Sequence, residues 1–351
     1  MNRELALNIS PDTVVTPLSG GITNINFRLH REPFSPDEVL TILPDRDTWW
    51  RIKKDYLIED ILSTIDVPHS RKIANGIALV EGRYVAFLKK SFIDGPTFDE
   101  FFEGNPNNLV AERLMFQLGE ALGRMHGVRF DKFGFIRPKY IAGSEYRRNV
   151  SGFNSWEEFM DMLMTEREET LNTIPRDRDI GGITGQDLIN VFPKIGEFYS
   201  RNRTPLSSVK SPFLTHNDMR FGNIIVSGDE NLGGIIDLEA CLAGDPEMDI
   251  VQIDNWLEFT KYKDRVLSYR DSFKKGYMKY REISGDYEAK RKIYFMIRSL
   301  SYLLAVMSLP ENSELFSQPT TEGYFKKHFE LLMETIETTI NKEGIIESEE
   351  K

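Results

Sequence analysis

The sequence predicts an α+β protein of two lobes, a small one built mainly of antiparallel strands and a larger helical one. Three observations carry this expectation. Short β-like runs separated by glycine-bearing turns fill roughly the first ninety residues. From about residue 98 the apolar spacing changes to steps of three and four. Beyond that point one strand pair, Ile224 to Val226 and Gly234 to Ile236, interrupts the helices.

In chain order, Val14 to Leu18 and Ile25 to Leu29 flank Ser19-Gly20-Gly21-Ile22-Thr23-Asn24, a hairpin signal with paired glycines at its turn. Glu38 to Leu43 is a third strand. Trp49 to Ile65 is charged and helix-compatible, and Ile77 to Val80 with Tyr84 to Leu88 form a second hairpin around Glu81-Gly82-Arg83. Leu114, Leu118, Leu122 and Met125 then share one helix face. Further helices are expected over 156–171, 187–201, 248–260, 265–283, 287–309 and 324–341. The reading divides the chain into an amino-terminal strand-rich lobe (1–90), a hinge (91–97), a helical lobe (98–343) and a charged tail (344–351).

The 351 residues suffice for a substantial core. Lys plus Arg number 44 against 55 Asp plus Glu, a net charge of −11, which disfavours nucleic-acid backbones and either serves solubility alone or would draw in a cationic substrate. Cys241 is the single cysteine, so no internal disulfide forms, and with no amino-terminal signal pattern a reducing cytoplasm is expected. The most apolar stretch, Ser299 to Leu309, is far shorter than the roughly 18–20 residues of a membrane span and reads as a buried helix. Oligomeric state is not legible.

The chemistry concentrates in Leu214-Thr215-His216-Asn217-Asp218-Met219-Arg220-Phe221-Gly222-Asn223, with Asp237 fourteen residues beyond Asn223 at the end of the second hairpin strand. Transfer of a γ-phosphoryl group needs a carboxylate to orient a hydroxyl and take its proton, a role that suits Asp218. Mg²⁺ needs hard oxygen ligands. A hairpin that starts at Asn223 and ends at Asp237 brings both to one end. Arg220 either stabilises charge on the transferring group or is a solvated loop arginine. His216 is read as a structural brace rather than a second base.

The pattern H-x-D-x-x-x-x-N, then a strand ending in Asp, resembles the catalytic loop and metal-binding Asp of protein kinases, and more closely the aminoglycoside phosphotransferase and choline kinase superfamily. Gly244-Asp245-Pro246-Glu247-Met248-Asp249 resembles the G-D-P-x-x-D segment of the aminoglycoside enzymes. By itself it is a helix start, with Asp245 able to cap. The resemblance implies that Asp249 braces the catalytic loop and that His126 closes the first long helix of the larger lobe.

The same resemblance implies a protein-kinase-like fold, ATP or GTP as co-substrate and Mg²⁺ as cofactor. Backbone groups of Ser19, Gly20, Gly21, Thr23 and Asn24 would then approach the phosphates, and Ser91 and Ile93 in Phe87 to Gly95 would bind the base. One departure stands out. Thr41 occupies the place where the family usually carries a phosphate-gripping Lys or Arg, so Arg46, Arg51, Lys53 or Lys54 reaches in, the strand is shifted, or nucleotide affinity is reduced. Glu59 is the candidate partner acid, alongside a plain solvated helix face.

Six residues separate Asp237 from Gly244, which leaves no room for the segment that docks peptides in protein kinases; the expected acceptor is a small hydroxylated molecule. Aminoglycosides, choline-like amino alcohols and sugars stay open. Asp254 and Glu258, one helical turn apart, either meet a cationic substrate or form a solvated face. A nucleotide-binding pseudokinase without turnover is the alternative of another class.

Overall fold

The computed structural model describes residues 9–18, 25–31, 35–43, 49–80, 82–104, 106–136, 152–259, 262–310 and 319–349. The glycine-bearing loop with Ser19, Gly20, Gly21, Thr23 and Asn24, and also Arg46, lies outside these residues.

Five antiparallel strands form the first sheet: β1 (Val14–Leu18), β2 (Ile25–Arg31), β3 (Ser35–Leu43), β4 (Lys72–Val80) and β5 (Arg83–Ser91), in the order β1-β2-β3-β5-β4. Period-two alternation gives the sheet two apolar faces. Leu29, Leu40, Ala78 and Phe87 cluster on one. Leu43, Ala86 and Leu88 cluster on the other with Ile52, from the helix α1 (Trp49–Thr64) that links β3 to β4. The pairing sets Val39 opposite Lys90 and Thr41 opposite Leu88, so all four side chains share one face of the sheet.

The segment after β5 crosses to the helical lobe. Val226 N–H donates to the Pro96 carbonyl (2.9 Å), and α2 (Phe98–Glu103) begins at a reciprocal cap between Thr97 and Glu100. Helix α3 (Asn108–Met125) lies against α7 (Val266–Tyr277), and glycines set the spacing. A Cβ on Gly119 would stand 2.1 Å from the Phe273 carbonyl oxygen, and one on Gly276 would stand 2.0 Å from that of Phe116. Only hydrogen fits there.

The remaining helices are α4 (Trp156–Thr173), α5 (Gly185–Asn202), α6 (Glu247–Phe259), α8 (Tyr287–Met307) and α9 (Pro319–Glu349). Trp156, at the start of α4, is fully buried and donates its indole N–H to Tyr294 of α8 (2.8 Å). Among the described residues no helix is long and apolar enough to cross a membrane.

The expected hairpin is present as β10 (Ile224–Val226) and β11 (Leu232–Ile235). It is not the one strand pair of the helical lobe. Strands β6 (Gly134–Phe135), β9 (Phe213–Thr215) and β12 (Leu242–Gly244) form a second sheet, and β7 (Asp179–Ile180) pairs with β8 (Ile183–Thr184). Two- and three-residue strands carry too few alternations to be read from pattern. The helix expected over 265–283 ends at Tyr277, and the one expected over 324–341 runs from Pro319 to Glu349.

Candidate active site

The loop that bears Asp218 leaves β9 at Thr215, which is buried. It turns through Asn217 in a left-handed conformation (φ 61°), which a short polar side chain tolerates better than most. Its backbone is held by buried side chains. Asp249 of α6 accepts N–H bonds from His216 (2.7 Å) and Asn217 (2.8 Å). Gln252, one turn further along α6, accepts from Met219 N–H (2.5 Å).

Behind Asp249 stands His126, whose Nε2 lies 3.0 Å from the carboxylate while Nδ1 meets the Tyr277 hydroxyl at 3.0 Å. Burial alone would raise the pKa of Asp249. The hydrogen bond and charge of His126 and the loop N–H groups outweigh that and hold it below the ordinary value. The expected bracing roles of His126, His216 and Asp249 fit these contacts: His216 Nε2 reaches the Ile236 carbonyl (2.9 Å), and Nδ1 accepts from Asp218 N–H (3.3 Å).

Asp218 itself is about a third exposed, and three side chains meet it. Asn223 donates its amide to the Asp218 carbonyl oxygen (2.8 Å) and to Oδ2 (3.0 Å). Arg220 Nε stands 3.5 Å from Oδ2. Arg298 of α8 approaches Oδ1 at 3.3 Å and donates to the Asn217 carbonyl at 2.6 Å. Sequence reading missed Arg298, because it lies eighty positions along the chain, on a helix that no local spacing ties to the catalytic loop.

Asp237 follows β11 in a left-handed conformation (φ 62°), and Ile236 N–H donates to the Asn223 carbonyl (2.9 Å), which ties the two positions together. The Asp237 side chain is solvent-accessible yet crowded by protein. That crowding, with the charges of Glu239 and Asp218, pushes its pKa up to about 6.

These residues fit a divalent cation. The Asn223 NH₂ is committed to Asp218, so its carbonyl oxygen is the group left for a metal; the Asp237 carboxylate sits among other anions whose repulsion a cation would relieve. No cluster of three or more His, Cys, Asp or Glu with metal-binding geometry occurs among the described residues. Magnesium in phosphoryl-transfer sites takes one or two protein carboxylates and completes its shell with phosphates and water, so two protein donors are adequate.

On the strand side, Thr41 is where the pairing predicts, and its hydroxyl donates to Asn26 Oδ1 (2.8 Å). It presents no charge. Glu59 contacts Lys90 of β5 at 2.8 Å, and Asp55 contacts the same ammonium. The acid on α1 therefore has a partner, supplied by β5 rather than β3. Lys54 of α1 donates to the Glu239 carbonyl, two residues past Asp237, and Arg51 stands 4.0 Å from the Glu239 carboxylate.

At the crossing segment, Ser91 N–H donates to the Arg71 carbonyl (2.8 Å) and its hydroxyl accepts from Arg71 N–H (2.8 Å). What Ser91 can offer a base is its carbonyl. A Cβ on Gly234 would stand 2.5 Å from Ile93 Cδ1, which places Ile93 beside β11.

Asp254 and Glu258 do share a face, and arginines pair with both. Arg270 bonds both (2.8 and 2.6 Å), Arg291 approaches both, and Tyr287 donates to Asp254 (2.6 Å). Both arginines come from later helices, beyond the reach of local spacing. A separate cavity of about 420 Å³ between Pro175–Gly182 and Thr321–Glu322 contains none of the candidate site residues.

A two-lobed fold in which Asp218, Asn223 and Asp237 converge defines a kinase-like phosphotransferase. The family model of the phosphotransferase enzyme family, APH, matches residues 14–282, and the chain belongs to that family. It is a phosphotransferase that places phosphate on hydroxyl groups of small molecules. Among solved structures, spectinomycin phosphotransferase APH(9)-Ia in complex with ADP and spectinomycin is similar in fold, with a TM-score of 0.55 and 15% identity over 92% of each chain. Macrolide 2′-phosphotransferase type I gives a TM-score of 0.47 and 11% identity over 89% of each chain. Comparison with curated protein sequences yields no match.

Proposed function

We propose that this chain transfers the γ-phosphate of ATP or GTP to a hydroxyl of a small molecule, with Asp218 as the base and Asn223 and Asp237 as ligands of Mg²⁺. The observation that carries the reading is the pair of hydrogen bonds from Asn223 to Asp218, just ahead of a hairpin whose second strand leads to Asp237. It links proton acceptance and metal binding in one rigid unit. The complex of spectinomycin phosphotransferase with ADP and spectinomycin supports a nucleotide donor for this chain as well.

In this mechanism the acceptor hydroxyl hydrogen-bonds to an Asp218 carboxylate oxygen, which takes the proton as the hydroxyl oxygen bonds to the γ-phosphorus and the bond to the nucleoside diphosphate breaks. When bound, Mg²⁺ neutralises charge on the phosphates. Arg220, 40% exposed beside Asp218, is placed to meet charge on the transferring group. Arg298 holds the Asn217 carbonyl and so fixes the direction in which Asp218 points. The Ser91 carbonyl and the backbone of Ile93 would receive the base, and residues 19–24 the phosphates. The lobe boundaries expected from sequence belong to this reading, as does a cytoplasmic setting, for which the single buried Cys241 is the support.

The acceptor is a small hydroxylated molecule. With Asp254 and Glu258 closed by arginines, those two residues do not favour a cation, which leaves neutral sugars on an equal footing with amino alcohols and aminoglycosides. The test is a panel of hydroxylated amines and sugars, incubated with ATP or GTP and Mg²⁺ and read by mass spectrometry. A phosphorylated product that requires Asp218 supports the reading. Nucleotide binding without product across a broad panel would favour the pseudokinase, the alternative to which Thr41 gives weight.

A further inference from the structure

Lys54 of α1 is 3% exposed, and its ammonium donates to a single acceptor, the Glu239 carbonyl. No carboxylate oxygen lies within 4 Å of it among the described residues. An ammonium carries three donors and a full charge, and burying it without an anion costs several kcal/mol. By contrast Lys90 is matched by Asp55 and Glu59, Lys89 by Glu38 (2.7 Å), Lys72 by Asp60 (2.5 Å) and Arg28 by Asp37 (2.5 Å). Lys54 stands apart.

Its position suggests what matches it. The carbonyl it holds belongs to the turn that follows Asp237, while Thr41, across the same face of the sheet, contributes only a hydroxyl already bonded to Asn26. The helix that carries Lys54 is anchored to the sheet by the Lys90–Asp55–Glu59 contacts and by Lys72 N–H, which donates to Glu59 (2.7 Å). That anchorage fixes the ammonium over the Asp237 turn. Burial lowers the pKa of Lys54, which a bound anion would reverse.

We propose that Lys54, delivered from α1, is the cation that grips the nucleotide's diphosphate, taking the place β3 leaves without charge at Thr41. The inference rests on the proposed nucleotide-dependent reaction and deepens it. An anion of that kind supplies the missing partner for a buried charge and lies on the side of the site where Asp237 would hold the metal.

Isothermal titration of Lys54→Met with ADP or GDP, whichever the unaltered protein binds, tests it against titration with the matching nucleoside. We expect the diphosphate to lose at least about tenfold in affinity and the nucleoside to change by less than about twofold. The double variant Lys54→Met, Thr41→Lys, which restores a cation on β3, should recover part of the loss. Should Lys54→Met fail to fold, Lys54→Gln, which keeps a donor for the Glu239 carbonyl but carries no charge, is titrated in the same way with the same expected outcome. A folded Lys54→Met or Lys54→Gln that binds the diphosphate as before overturns the inference. Diphosphate binding that fails in the unaltered protein sinks the proposed function and this inference with it, so the two failures are distinguishable.

Discussion

The loop around Asp218 and the sheet side of the site are built on opposite plans. Around Asp218 a contiguous motif is braced from behind by Asp249, His126, Gln252 and Arg298, and the backbone N–H groups of residues 216–219 that carry it are satisfied at His216, Asn217, Asp218 and Met219. On the sheet side the strand position expected to carry charge holds Thr41, and the charges come instead from α1 and β5. A base must be held at hydrogen-bond distance from the hydroxyl it deprotonates, with little tolerance for misplacement, so its loop depends on short, specific contacts. A cation that neutralises phosphate acts through a longer-ranged field, so different elements can deliver it.

Four substitutions break or sharpen that contrast, in order of expected size. Asp218→Asn removes proton acceptance while leaving phosphate and metal contacts in place; kcat should fall by about 10²–10⁴-fold with nucleotide affinity nearly unchanged, as steady-state kinetics and titration would reveal. Normal turnover by this variant would mean that Asp218 is not the base. Asp249→Ala leaves the N–H groups of His216 and Asn217 and the ring of His126 without their shared acceptor. It should lower unfolding stability by about 4 kcal/mol in urea denaturation, and turnover by the remaining folded protein should drop as well.

Lys90→Met strips the counter-charge from Asp55 and Glu59, whose side chains are 9% and 2% exposed. The expected loss is about 3 kcal/mol by denaturant titration, with nucleotide binding weakened more than kcat, the reverse of the Asp218→Asn pattern. A matched fall in both constants would show that the two plans are not separable.

The smallest effect concerns Asp99 of α2, beside Arg220. Burial pushes its pKa up to about 6, against an ordinary 3.8, although Arg220 opposes the shift. The folded state therefore holds a proton that the unfolded chain releases, and stability drains away as pH rises from about 4 to about 6. Asp99→Asn should raise Tm at pH 7.5, by an amount worth about 1 kcal/mol after allowance for solvent screening, and leave it nearly unchanged at pH 4. An equal gain at both pH values would remove the carboxylate from the account.

Much of this was legible beforehand. The glycine-bearing turns and the switch to helical spacing near residue 98 lead to the sheet and the helices, and the segment 214–249 holds its chemistry within one local hairpin. The short strands β6, β9 and β12 were not legible, because each is stabilised by a partner far along the chain rather than by its own alternation. Asp254 and Glu258 misled for the same reason: their spacing says they share a face, but nothing local says that Arg270 and Arg291 close it.

The order of residues alone determined that a carboxylate, an amide and a second carboxylate would meet at one end of a hairpin, because strand pairing is local and its register carries side chains with it. Which cations would face that centre was decided by the folded molecule. Arg298, Lys54 and Lys90 arrive from a distant helix, a linking helix and a strand end, and charges so far apart in the chain become neighbours only when α1 seats on the sheet and α8 passes behind the loop.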